Sequence, residues 1–331
     1  MLTLVVITIA VSLAFDFLNG MNDAANSIAT VVATRVLSLR TAAFLAMFFN
    51  IIAAFVFTVA VAKTVGKGII DPSYVTTTII LAGLIGGAAW VYITTRFGMP
   101  ISASHSLIGG LIGSVLFGAG PSALVLTGII KVSIFIFLAP IIGLMLAIAF
   151  TTVIFGVIRK LNPELNNANK HFKWLQVLSS SAFSLNHGAN DAQKTMGVIT
   201  LVLFVNGYLG QEFYVPFWVI LVSHLTIGFG TLVGGWKVVK TMGLKLTKLR
   251  PVHGFCAETA GALTIFGCSL AGIPVSTTHV ICGSIAGVGI TKRASSVKWN
   301  RARPIVWAWL LTIPVSAIIG GLTYTVIHLF I

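Results

Sequence analysis

The pair Asn22–Asp23 sits in an otherwise apolar stretch that reads D-F-L-N-G-M-N-D-A-A-N-S from 16 to 27. It returns 168 positions later as Asn190–Asp191, within S-L-N-H-G-A-N-D-A-Q-K-T from 184 to 195. A carboxylate among apolar residues is costly unless cations or hydrogen-bond donors meet it. Carboxylate, amide and hydroxyl oxygens together are the ligands a hard cation prefers. Asp23 and Ser27 share a helix face at a spacing of four, with Asn26 beside them, and Asp191 and Thr195 repeat that spacing. Each copy thus reads as a half-site for a sodium ion.

A second pattern also occurs twice, as G-M-P-I-S-A-S-H from Gly98 to His105 and G-I-P-V-S-T-T-H from Gly272 to His279. Glycine and proline stop one helix, and Ser102 or Ser276 can cap the next. The free N–H groups and positive dipole end of that next helix then face Ala103–His105 or Thr277–His279. With the hydroxyls of Ser104, Thr277 and Thr278, this chemistry suits an oxyanion without an arginine. His105 is carried among the candidate anion-binding residues, although His105 and His279 each read more readily as core histidines than as ligands. Lys194, one turn beyond Asn190, is placed to pair with Asp191 or to meet substrate. Glu258 is a further acid in an apolar run, its counterpart in the first half is Leu84, and sequence assigns it no role.

Composition sets what must hold these residues. The 331-residue chain is 57% hydrophobic and 8% charged, with a mean hydropathy of +1.01. A soluble domain carries about 25% charged residues, and several apolar runs exceed the roughly 20 residues that cross a bilayer. The net charge of +14 resides in short loops between apolar runs, the orienting bias of membrane proteins, and no soluble domain presents a basic face to nucleic acid. Cys256, Cys268 and Cys282 lie in apolar runs without metal-ligand spacing and read as buried hydrophobes. The first apolar run lacks a preceding basic residue and reads as a membrane helix, not a cleaved signal.

In order, the expected elements are a span from 2 to about 30 interrupted at Asn19–Asn26, and a span at 41–62. A hairpin around Pro100 and one long tilted helix at 122–158 complete the first half. The polar stretch 159–173 divides the chain. A helix broken at Asn186–Lys194, a span at 214–239, a hairpin at 252–290 and a final span complete the second. Two motifs recurring in one order point to internal duplication. Placing 159–173, 237–250 and 292–303 in the cytoplasm makes 252–290 a re-entrant hairpin, with Pro274 near its tip. With the first half as its inverted copy, 16 basic residues lie inside, two outside, and Arg96, Lys131 and Lys194 at membrane depth. The fold expected is an all-α polytopic membrane protein. It is an inverted-topology repeat (1–158 and 174–331, joined by 159–173) with broken helices and two re-entrant helical hairpins.

These four motifs, in this order over essentially the whole chain, resemble the inorganic phosphate transporter (PiT) family. The resemblance implies uptake of inorganic phosphate coupled to sodium or protons, a multi-pass protein of a prokaryotic inner (cell) membrane, and a homodimer. It places Asn22, Asp23, Asn190 and Asp191 at the cation and phosphate site, with Ser102, Ser104, Ser276, Thr277 and Thr278 lining the hairpin tips. Two aspartates beside an anion leave a charge deficit that two sodium ions, one per motif, would nearly cancel. The reading is therefore a sodium/phosphate symporter working by alternating access, with sodium as a co-transported ligand, no cofactor, and no enzymatic motif. Proton coupling or sulfate as substrate are rivals. An anion channel is disfavoured because the acidic motifs would repel chloride.

Overall fold

The computed structural model describes residues 1–161 and 165–330, with backbone alone for 165–168, 244 and 245. Residues 162–164, inside the polar stretch expected to join the halves, lie outside the described residues. Twelve α-helices are described. The first half contains α1 (Leu2–Ala33), α2 (Leu39–Ile52), α3 (Ala60–Lys67), α4 (Thr77–Phe97), α5 (Ala103–Gly118) and α6 (Leu126–Leu161). The second contains α7 (Leu165–Val205), α8 (Phe217–Val233), α9 (Trp236–Lys245), α10 (Pro251–Leu270), α11 (Thr277–Lys292) and α12 (Trp299–Phe330). Four of them, α1, α4, α6 and α12, are each long and apolar enough to cross a bilayer, and the bent pairs α2–α3 and α8–α9 are so only when their two helices are taken together. The chain is an all-α polytopic membrane protein.

Helix ends follow local rules. Ser38, Thr76, Ser102 and Ser276 cap α2, α4, α5 and α11 by accepting the N–H three residues on, and Pro251 opens α10. Gly98 ends α4 at φ +70° and Gly272 follows α10 at φ +64°, conformations that cost a residue with Cβ. Both turns return the chain into a second limb, so α4/α5 and α10/α11 are the two expected helical hairpins. The single helix expected at 122–158 is α6, which starts at Leu126 and holds Pro140, and at 1.5 Å per residue its 36 residues reach about 54 Å. Residues 159–161 and 165–173, expected as loop, are helical ends of α6 and α7.

The breaks lie elsewhere than expected. Helices α1 and α7 run unbroken through Asn19–Asn26 and Asn186–Lys194. Their amides bond sideways to other helices, as Asn22 does to Thr95 and Asn190 to Ser269, so the helical backbone bonds are kept. The expected straight spans 41–62 and 214–239 are the bent ones, by 83° between α2 and α3 and by 74° between α8 and α9. Gly234, at φ +65°, and Gly235 make the second bend.

Packing is reciprocal between the halves. Helix α1 lies on α8 and α9, while α7 lies on α2 and α3; α6 covers the α10/α11 hairpin, while α12 covers α4/α5. Small residues allow the approach: a Cβ on Gly113 would lie 1.9 Å from the Ala317 carbonyl oxygen, and one on Gly283 would lie 2.2 Å from that of Pro140. Helices α6 and α12 turn Ile134, Phe137, Ile141, Leu311, Ile318 and Leu322 outward, an apolar exterior suited to lipid. Residues 22–31 of α1 are buried throughout, so α1 passes through the interior.

This arrangement predicts chemical sidedness in a background without the three buried cysteines. Single cysteines at Lys240 and Ser295 react with a membrane-impermeant maleimide from one face, and one at Gly207 reacts from the other. Labelling of the first two from opposite faces would mean that α10 and α11 together cross the bilayer.

Candidate functional site

Helix α1 carries Asp16, Asn19, Asp23, Asn26 and Thr30 at spacings of three and four, and all are buried. Helix α7 carries Ser184, His187, Asp191 and Lys194 at the same rhythm, also buried. Two polar stripes of this kind face each other only if something polar lies between them. The N-terminus of α11 supplies it. Thr278 donates to Asp23 Oδ1 at 3.1 Å, and Thr277 Oγ1 lies 3.3 Å from Asp23 Oδ2 and 3.2 Å from Asp191 Oδ2. One hydroxyl has one proton, so Thr277 serves one of the two carboxylates at a time. Asn26 Nδ2 donates to both threonine oxygens, at 3.1 and 3.0 Å.

His187 completes the centre. Its Nε2 lies 3.4 Å from Asp191 Oδ2 and 3.9 Å from Asp23 Oδ2, and its Nδ1 lies 3.1 Å from Asn50 Oδ1. The Asn50 amide nitrogen is committed to Thr231, at 2.9 Å, so Asn50 offers its oxygen and His187 Nδ1 carries the proton. A neutral ring then turns the Nε2 lone pair toward two carboxylate oxygens. A proton, on Nε2 or on one of the carboxyl groups, or a cation among the three groups relieves that contact. Their ligand atoms all lie within 4.8 Å of one another, as a small cation would need.

The Lys194 ammonium donates to Asp191 Oδ1, to Ser104 Oγ and, at 2.8 Å, to the Val275 carbonyl. It therefore ties α7 to both hairpin tips. Around this core, Asn22 Oδ1, Asn26 Oδ1, Asn190 Oδ1, Asp16 Oδ2 and Ser27 Oγ are buried without a hydrogen-bond partner. Buried polar atoms are nearly always paired. Amide, hydroxyl and carboxylate oxygens of this kind are the ligand types a hard cation prefers.

The profile of the phosphate transporter family matches residues 19–320. The chain belongs to the phosphate transporter family. Its members are transporters and not enzymes. The chain is 51% identical over 316 residues to a probable low-affinity inorganic phosphate transporter of Rhizobium meliloti, covering 96% of this chain and 94% of that one. It is 39% identical to a protein of the same description from Bacillus subtilis, covering 99% and 98%. Among solved structures it resembles that of a sodium-dependent phosphate transporter, with a TM-score of 0.88 at 26% identity, over 99% of this chain and 100% of that one. Family and helices together make it a multi-pass cell-membrane protein.

Of the residues singled out in the transporter's sequence, Asp23, Asn26, Asp191, Thr277 and Thr278 converge, and Ser104 joins them through Lys194. Asn22 and Asn190 flank the centre, each bonded at 2.8 Å to the end of a hairpin limb, at Thr95 and Ser269. Ser102 and Ser276 serve as caps. Thr195 does not pair with Asp191, whose oxygens meet Lys194 and Thr277; its hydroxyl donates to Asp16 of α1 at 2.9 Å. Ser27 Oγ is unpartnered, and its carbonyl accepts from Ser180. His105 packs edge-on against His279, which stacks on Trp309, and His105 Nδ1 and both ring nitrogens of His279 are buried without a side-chain hydrogen-bond partner. Glu258 lies apart, bonded by Thr30, Gln176 and Ser179, and Thr30 is about 10 Å along α1 from Asp23. Sequence reasoning misses His187 and Asp16. Both sit at helical spacing from the aspartates, a signal hidden by reading the motifs as helix breaks.

The shared hydroxyl yields a test. Thr277→Val keeps the shape and removes the hydroxyl donor that Asp23 and Asp191 share. A lost buried hydrogen bond to a charged group is worth about 1.5–3 kcal/mol. Phosphate binding to the purified variant should weaken by about tenfold or more, and its melting temperature should fall by a few degrees with the fold retained. Wild-type affinity in a folded variant would remove the α11 tip from the binding site.

Proposed function

We propose that this chain imports inorganic phosphate together with sodium, by alternating access to the Asp23–Asp191 centre between halves arranged as an inverted repeat. The observation that carries the reading is the convergence of the two aspartates on the N-terminus of α11. The helix end and its hydroxyls favour an anion. The carboxylates oppose one until cations arrive. Asp16, Asp23 and Asp191 stand against the Lys194 ammonium and at most one further charge on His187, so an incoming phosphate has to bring positive charge with it. Binding of the anion is thereby made conditional on the cation, which is the thermodynamic requirement for symport. The orphan amide and hydroxyl oxygens support sodium as that cation, as does the likeness to a sodium-dependent phosphate transporter.

Phosphate is favoured over sulfate for a chemical reason. At neutral pH phosphate carries a proton that it can donate to an aspartate, whereas sulfate offers only acceptors. The reading retains the homodimer that the resemblance implies.

The test is phosphate binding to purified protein at fixed pH, with sodium exchanged for N-methyl-D-glucamine. Affinity should rise at least about tenfold in sodium, roughly 1.4 kcal/mol of coupling. Asp23→Asn and Asp191→Asn should each reduce or abolish sodium-driven uptake in proteoliposomes, and sulfate should compete poorly. Equal affinity in the two salts would end the sodium assignment and leave protons as the coupling ion.

A further inference from the structure

The two copies of the aspartate motif place different residues at one position. Aligning Asn22–Asp23 with Asn190–Asp191 sets Asn26 against Lys194, and aligning the hairpin motifs sets Ser104 against Thr278. The contacts respect this exchange. Asn26 bonds to Thr278 of the second hairpin, and Lys194 bonds to Ser104 of the first. The two side chains therefore occupy corresponding places beside corresponding aspartates, reached from opposite halves.

Their chemistry differs in one decisive respect. Asn26, three residues along α1 from Asp23, uses its Nδ2 on Thr277 and Thr278 and leaves its Oδ1 buried and unpartnered. Lys194 delivers an ammonium onto a carboxylate oxygen, a hydroxyl oxygen and a backbone carbonyl oxygen. Those three oxygen types make up a sodium ligand set. An ammonium has three N–H donors, and all three are spent on protein oxygens, so none is left for an anion. Lys194 is also 1% exposed and cannot satisfy itself with water.

We propose that Lys194 is a tethered cation: its ammonium fills the second-half cation position at Asp191. Only the first-half position, at Asp23 and Asn26, then takes a mobile ion. This rests on the sodium-coupled reading above and changes its stoichiometry. The expected pair of sodium ions, one per motif, becomes one exchangeable ion and one fixed charge. Lys194 acts on coupling as a specificity-determining residue, and it does not contact phosphate.

The experiment measures equilibrium binding of radiolabelled phosphate to the purified full chain across a sodium series below saturation, at constant pH and ionic strength. In the wild type, a tenfold increase in sodium should raise phosphate affinity about tenfold. In Lys194→Asn, which recreates the first-half chemistry, the same increase should raise it about a hundredfold. Lys194→Arg should keep the wild-type dependence. Asn26→Lys, which tethers a second charge, should leave almost none. A wild-type dependence that is already second order would overturn the proposal, as would identical slopes for the wild type and Lys194→Asn. If Lys194→Asn does not fold, an unchanged slope in Asn26→Lys overturns it equally. If the wild type shows no sodium dependence while Lys194→Asn acquires a first-order one, sodium coupling fails and the tethered cation stands.

Discussion

Two carboxylates from helices far apart in sequence compete for one hydroxyl proton, that of Thr277, in a space closed to water. Every larger feature follows from the need to bear that arrangement. Asp23 and Asp191 must arrive on straight helices, because only unbroken α1 and α7 bring side chains at three- and four-residue spacing onto one face. The hydroxyls must arrive on a helix start, because only there do backbone N–H groups and dipole oppose the negative charge. A helix start at membrane depth needs a chain that enters and turns back, which the left-handed glycines and serine caps of the two hairpins provide. Irregular backbone is tolerated at that depth when protein encloses it. Here α6 and α12 enclose it, through glycine contacts too close for any side chain.

The same logic explains how much could be read in advance. Duplication, hairpins, caps and the membrane setting are local or periodic properties, and apolar run length, Gly-x-Pro and Ser at the cap position express them directly. Helix continuity is different. A run such as N-G-M-N-D carries glycine and asparagine, each unfavourable inside a helix by under about 1 kcal/mol, and taken alone it reads as a break. What holds the helix is distant: Thr95 and Ser269 accept the asparagine amides, and Thr277 and Thr278 take Asn26. Those partners lie 73 to 252 residues away, beyond any local rule. Conversely, the true bend between α8 and α9 is made by Gly234–Gly235, a visible pair in a run apolar enough to pass for one straight span.

The functional residues divide along the same line. Asp23, Asp191, Thr277 and Thr278 were legible because their motifs repeat. His187 and Asp16 were not, because their counterparts in the other copy are Asn19 and Ser184, so comparing the repeats dilutes the signal that helical spacing would have given. His187 also depends on a third element. Asn50 on α2 fixes which ring nitrogen faces the carboxylates, and nothing in the α7 motif announces it.

Divergence between the copies carries consequences beyond recognition. Reciprocal packing makes the halves near-equivalent as scaffolds: α1 on α8 and α9 answers α7 on α2 and α3, and the two hairpins meet at His105 and His279. On the alternating-access reading proposed above, such a backbone has two arrangements of similar energy, obtained by exchanging the roles of its halves. A ligand moves such a pair only by its differential affinity for the two. In this chain the side chains break the equivalence at four corresponding positions, Asp16 against Ser184, Asn19 against His187, Asn26 against Lys194, and Leu84 against Glu258. Each contrast places an ionisable group on one half alone. On that reading these four one-sided ionisable groups set how far apart the energies of the two arrangements lie and which ions can move the balance.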